Sequence, residues 1–178
     1  MHIDSDSAYR FINGYKAVLL ELHRVSGEPT PKDTVSTLAS GRSYLKQHPD
    51  SLNVALSALD AASTAVAPDV AQALKSLRIE RWTYLRSTTR YAIFIDQEAK
   101  HAYAVLGLTN PIEAIVGGNA VMFESAVFPF VGRFVCDGIV QGPVFLGPGY
   151  KAQFKTELAA IKRQGHFHTR PDTQSIWH

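Results

Sequence analysis

Glu80 to Ile95 read ERWTYLRSTTRYAIFI, and the fold is decided here. Upstream of this stretch apolar residues recur at helical spacing. From Glu80 onward they alternate, and β-branched and aromatic residues dominate, which is the signature of a strand. The spacing predicts one long strand over Trp82–Ile95. Asp96 to Lys100 reads as a polar loop of hairpin length, and His101 to Leu108 as the return strand.

Working back toward the N-terminus, the chain predicts three or four helices. Ser5, Asp6 or Ser7 can cap the first, and Phe11, Tyr15, Val18, Leu19 and Leu22 form its stripe. A second runs from Asp33 to about Gln47 with Val35, Leu38 and Leu45 inward. Leu52, Ala55, Leu56 and Leu59 make a third stripe, and Pro68 opens a fourth. Working forward, Ile112 to Val116 suits one helical turn and Val121 to Phe130 a strand. Asp137-Gly138 reads as a two-residue hairpin turn between the apolar runs 132–136 and 139–146. Tyr150 to Arg163 predicts a closing helix, and residues 166–178 a polar tail.

Helices followed by strands, without βαβ alternation, predict an α+β fold. We expect N-terminal helices, a mostly antiparallel sheet of about five strands and a C-terminal helix. The 178 residues suit a single domain, with 1–79 helical and 80–165 carrying the sheet and closing helix.

Composition narrows the function classes. Apolar residues are 46% and charged residues 19%, as in an ordinary globular chain. Cys136 is the one cysteine, so no intrachain disulfide or Cys-rich zinc module is expected, and a reducing cytoplasm suits it. Apolar runs are too short for a membrane span. Net charge is +2; residues 1–77 hold 7 basic and 8 acidic side chains, residues 78–178 hold 11 and 8. An anionic partner would meet the C-terminal half. The phosphate-loop, dinucleotide-loop, nucleophile-elbow and His-Glu-x-x-His signatures are absent from the sequence, and no cofactor is expected.

The run Pro129-Phe130-Val131-Gly132-Arg133-Phe134-Val135-Cys136-Asp137-Gly138 resembles a Pro-Phe-x-Gly-Arg-x-Val-x-Asp-Gly strand-turn pattern of an uncharacterised family of bacterial proteins. Phe134 and Cys136 stand where that pattern tends to have Ile and Tyr. The resemblance implies no activity.

Several places could carry chemistry. At period two, Trp82, Tyr84, Arg86 and Arg90 share one strand face, interleaving aromatic planes with guanidinium groups that can stack bases and pair phosphates. The same face can equally be a solvated one with arginine stems over rings. Lys151, with Lys155 a turn later, follows Gly147-Pro148-Gly149 at a helix start, where an anion can sit. His166 and His168 have i, i+2 spacing that two metal ligands could use, with Asp172, His178 or Glu124 as a third; a solvated tail explains them as well. Glu124 is the one acid in an apolar strand, and Cys136 reads as an inert buried thiol.

Three function classes stand. The first is a non-enzymatic binding or regulatory module with a protein or anionic partner, oligomerisation being open. The second is an enzyme assembled from dispersed residues such as Glu124, Asp137, Arg133, His101 and His166. The third is a nucleic-acid binder that uses the Trp82–Arg90 face.

Overall fold

The computed structural model describes residues 1–172 and Trp177. Contacts divide the chain into two compact units, Asp6–Ser76, and Met1–Ser5 with Leu77–His178. The change of period near residue 79 falls beside this boundary.

The first unit carries α1 (Ser5–Ser26), α2 (Thr34–Gln47), α3 (Ser51–Ala61) and α4 (Pro68–Lys75). Asp33 caps α2, its Oδ1 accepting from Ser36 N at 2.8 Å. Pro68 sits in the first turn of α4, where its missing N–H costs nothing. Phe11, Tyr15, Val18, Leu19 and Leu22 are buried as the stripe required. The inward face of α2 differs from the expected one. Val35 is 67% exposed, and Thr37, Gly41, Arg42 and Leu45 are buried. Gly41 sets that rotation: a Cβ there would lie 2.1 Å from Leu19 O, so α2 approaches α1 backbone to backbone.

The second unit is built on β1 (Arg78–Ser87), β2 (Ala92–Ile95), β3 (Ala102–Leu106), β4 (Val121–Phe130), β5 (Arg133–Cys136), β6 (Gln141–Phe145) and β7 (Phe167–His168). It also holds α5 (Ile112–Val116) and α6 (Pro148–Arg163). Among the described residues the sheet has seven strands and is mixed, not a mostly antiparallel set of about five. β3 runs parallel to β5, with Val105 opposite Phe134, and parallel to β7, with Ala102 opposite Phe167.

The reason is closure. β1 pairs antiparallel with both β2 and β4, so the path β1-β2-β3-β5-β4 returns to β1. β4 therefore lies away from β3, and the strand that follows β4 comes back onto β3 in parallel. A closed five-strand ring with a parallel β3–β5 pair and a helix between β3 and β4 has the connectivity of an OB-type barrel. Closure removes the open edges that a flat sheet would expose. Trp82, Tyr84, Phe94, Tyr103, Val105, Phe123, Val127, Phe134 and Cys136 fill the interior, and Ile112 and Val116 of α5 pack on it. Outside the barrel, Leu158 and Ile161 of α6 cover Leu85, Ile93, Ile95 and Ala102.

Three local expectations are corrected. The long strand Trp82–Ile95 breaks at Thr88, whose Oγ1 accepts from Arg90 N and Tyr91 N and donates to Tyr91 O. The Asp137-Gly138 pair is not a hairpin turn. β5 and β6 run in the same direction along β4, pairing with 127–130 and then 121–124, and Asp137 sits at the gap between them. The hairpin is at Val131-Gly132 instead, between Phe130 and its partner Arg133, with φ of 45° and 69°. Two central residues at positive φ match the twist of the flanking strands. Finally, the stretch expected as a polar tail supplies β7 and sends Trp177 onto the barrel core.

Candidate functional site

β1 decides what becomes of the expected aromatic and basic face. Tyr84 pairs with Phe94, but Arg86 pairs with Ile93, so Leu85 is an extra residue and the strand bulges. The alternation is reset there. Trp82 and Tyr84 are fully buried in the barrel, whereas Arg86 emerges on the outside and Arg90 lies in the β1–β2 turn. Trp82 Nε1 donates to Ser125 O at 3.2 Å, and the Tyr84 hydroxyl donates to Asn119 Oδ1 at 2.9 Å. Both rings serve the core, and the four residues do not form one surface.

Arg90 instead joins residues far away in sequence. With Tyr91, Ala104, Leu106, Arg133, Thr169 and Arg170 it lines a hollow of about 270 Å³ on the outer wall of the barrel. Arg133 comes to the hollow because β5 lies along β3: with Val105 opposite Phe134, Arg133 falls beside Ala104. Thr169 and Arg170 arrive because β7 pairs along the preceding residues of β3. Arg90 is delivered by the turn that Thr88 ties. The Tyr91 ring packs on Phe167 at 5.9 Å.

Arg90 and Arg170 are exposed and Arg133 half-buried. Among the described residues, none of the three guanidinium groups pairs with a carboxylate. Three like charges around one recess repel one another, and an anion relieves that repulsion. Their planar forks suit the oxygens of phosphate or carboxylate groups.

The remaining expected residues lie elsewhere. Arg86 lines a second, mainly apolar recess of about 430 Å³ with Leu85, Leu158, Ala159, Lys155 and Lys162. Lys151 is exposed in the first turn of α6 and lines neither recess. His166 and His168 do meet His101. The His101 ring stacks on His166 at 4.8 Å and on His168 at 5.3 Å, with His101 Nδ1 3.1 Å from His168 Nε2. Among the described residues no group of three or more His, Cys, Asp or Glu side chains is arranged to hold a metal ion. His178 lies outside the described residues.

Cys136 is buried in the barrel, its Sγ 3.2 Å from Ser125 Oγ. Asp137 Oδ1 accepts from Ser125 Oγ at 2.8 Å, Ile139 N at 3.1 Å and Ala126 N at 3.3 Å, which fastens the crossing between β5 and β6. Glu124 is half-buried in β4, opposite Arg81 of β1. Of the dispersed set, the structure brings together His101 and His166, and places Arg133 in the arginine hollow. Tyr91, Thr169 and Arg170 escaped the sequence reading, since only the closed barrel gathers their segments.

Comparison with protein-family models, with curated proteins and with solved structures finds no match. Among the described residues no helix is long and apolar enough to cross a membrane.

Proposed function

We propose that the chain is a binding module that takes the phosphate groups of an anionic ligand in the hollow of Arg90, Arg133 and Arg170. The observation that carries this reading is the convergence of three guanidinium groups, from three distant segments, without a carboxylate partner among the described residues. The place in the fold supports it. In OB-type barrels the β2–β3 face and its flanking loops bind oligonucleotides and oligosaccharides, an argument by analogy of fold. The ligand is met by arginine forks and the Thr169 hydroxyl rather than by an open platform of aromatic rings, since Trp82 and Tyr84 face inward. Cytoplasmic residence belongs to the same proposal and rests on the single buried cysteine. The bacterial pattern over Pro129–Gly138 fits it too, because its Gly makes the β4–β5 turn and its Arg enters the hollow.

Inorganic tripolyphosphate is the probe, titrated calorimetrically at low salt. The unaltered protein binds it, and Arg133→Ala weakens binding about tenfold, the order expected on losing one hydrogen bond between charged partners. Affinity unchanged in Arg90→Ala, Arg133→Ala and Arg170→Ala would defeat the reading.

A further inference from the structure

The opposite end of the barrel from α5 carries an arrangement the anion reading does not use. Strand alternation places Arg78 and Glu80 on the same face of β1 as Trp82. Arg78 Nε lies 3.2 Å from Glu80 Oε2, its Nη2 3.6 Å from Asp96 Oδ2, and its Nη1 donates to the Tyr103 hydroxyl at 3.0 Å. Against Arg78 and Tyr103 of this group sits one indole from the C-terminal segment. The Trp177 ring lies 5.5 Å from both Tyr103 and Phe134 and 6.5 Å from Trp82, with the Arg78 guanidinium 5.5 Å from its centroid.

Three aromatic rings and a cation explain why a flat π-system rests here. They do not explain the acid. Glu80 Oε1 is buried and has no hydrogen-bond partner with Trp177 in place. A buried acceptor without a donor is costly, and native structures hold few of them. The mouth is thus equipped for a planar group that brings a donor, and Trp177 leaves that acceptor unused.

We infer that the barrel mouth is a binding site for a planar heteroaromatic group with an N–H donor on its edge, and that Trp177 is its intramolecular occupant. The incoming ring replaces the indole between Tyr103, Phe134 and Trp82, and its N–H donates to Glu80 Oε1. The guanidinium of Arg78 covers the ring and keeps Glu80 Oε2 paired. Burial holds the Glu80 carboxyl above its ordinary range, against the Arg78 guanidinium and the Gln97 backbone, which favour its charged form. The inference does not depend on the arginine hollow.

Guanosine, uncharged and rich in edge N–H groups, is the probe, so the arginine hollow is not engaged. In full-length Trp177→Ala the remaining tryptophan, Trp82, reports the mouth. Guanosine quenches its emission saturably, and Glu80→Leu, which has no acceptor, weakens binding at least about tenfold in that background. Benzene, which has no donor, binds more weakly than guanosine. Absence of saturable quenching in the folded variant, equal affinity in the Glu80→Leu background, or benzene binding as tightly would overturn the inference and leave only a hole where an indole was removed. If Trp177→Ala does not fold, the unaltered protein decides. Its Trp177 indole N–H resonance moves toward the solvent-exposed position as guanosine is added, and a resonance that stays in place overturns the inference.

Discussion

Arg90 and Arg133 border the same hollow, one from the β1–β2 turn and the other from the first residue of β5. Barrel closure alone makes them neighbours. Two cations that grip one anion act as a unit, so their removal should not be additive. In a double-mutant cycle on tripolyphosphate binding, Arg90→Ala and Arg133→Ala should couple by about 1 kcal/mol. Strict additivity would mean that they do not share a ligand.

Val131 is a β-branched residue at φ 45°, the first of the two turn residues between β4 and β5. Such a conformation strains it by about 1–3 kcal/mol. Asn tolerates positive φ, and Val131 is exposed, so little packing is lost. Val131→Asn should raise stability by about 1 kcal/mol, read as a higher urea midpoint at unchanged slope. A lower midpoint would show that the turn does not have this geometry.

Asp137 fastens the crossing from β5 to β6 through three accepted hydrogen bonds. Asp137→Ala leaves the buried Ser125 hydroxyl only the weak Cys136 sulfur as a partner and should cost about 2–3 kcal/mol. Asn keeps an acceptor oxygen at the same place, so Asp137→Asn should cost less. Equal losses in the two variants, measured by denaturant unfolding, would show that the accepted bonds are not what matters.

Glu80 gives stability a defined pH response. Burial raises its pKa above the ordinary value of 4.5, with Arg78 opposing the shift and Asp96 adding to it. Such a group binds its proton more tightly in the folded state. Its contribution is therefore full below the unfolded value and is lost as pH rises through the folded one. The thermal midpoint of the unaltered protein, measured relative to Glu80→Gln, should fall across the pH window that opens above the ordinary value of 4.5. A difference that stays constant or grows across that window contradicts the burial of this carboxyl.

Local signals were enough for the helices, because a cap such as Asp33 or a first-turn proline such as Pro68 acts within its own turn. They were not enough for the barrel. The extra residue at Leu85 leaves no mark in a stretch that alternates on both sides of it, yet it turns Arg86 away from Tyr84. Val131 holds a turn that its own propensity disfavours, while Asp137-Gly138 carries stronger turn chemistry and serves a crossing. The parallel β3–β5 and β3–β7 pairings join segments whose registers depend on closure, which no local period encodes. For the same reason Arg90 could be singled out from its strand and Arg133 as one of a dispersed set, but their meeting with Arg170 could not.

The central claim is that the arginine hollow on the outer wall is where an anion binds. Amide and arginine side-chain N–H spectra of the full chain, recorded during a tripolyphosphate titration at low salt, test it most directly. The account predicts saturable shifts confined to Arg90, Tyr91, Arg133, Thr169, Arg170 and their immediate neighbours, with an affinity that falls as salt is raised. Shifts centred on Lys151, or on Arg86, Lys155 and Lys162, with the hollow unmoved, would contradict it.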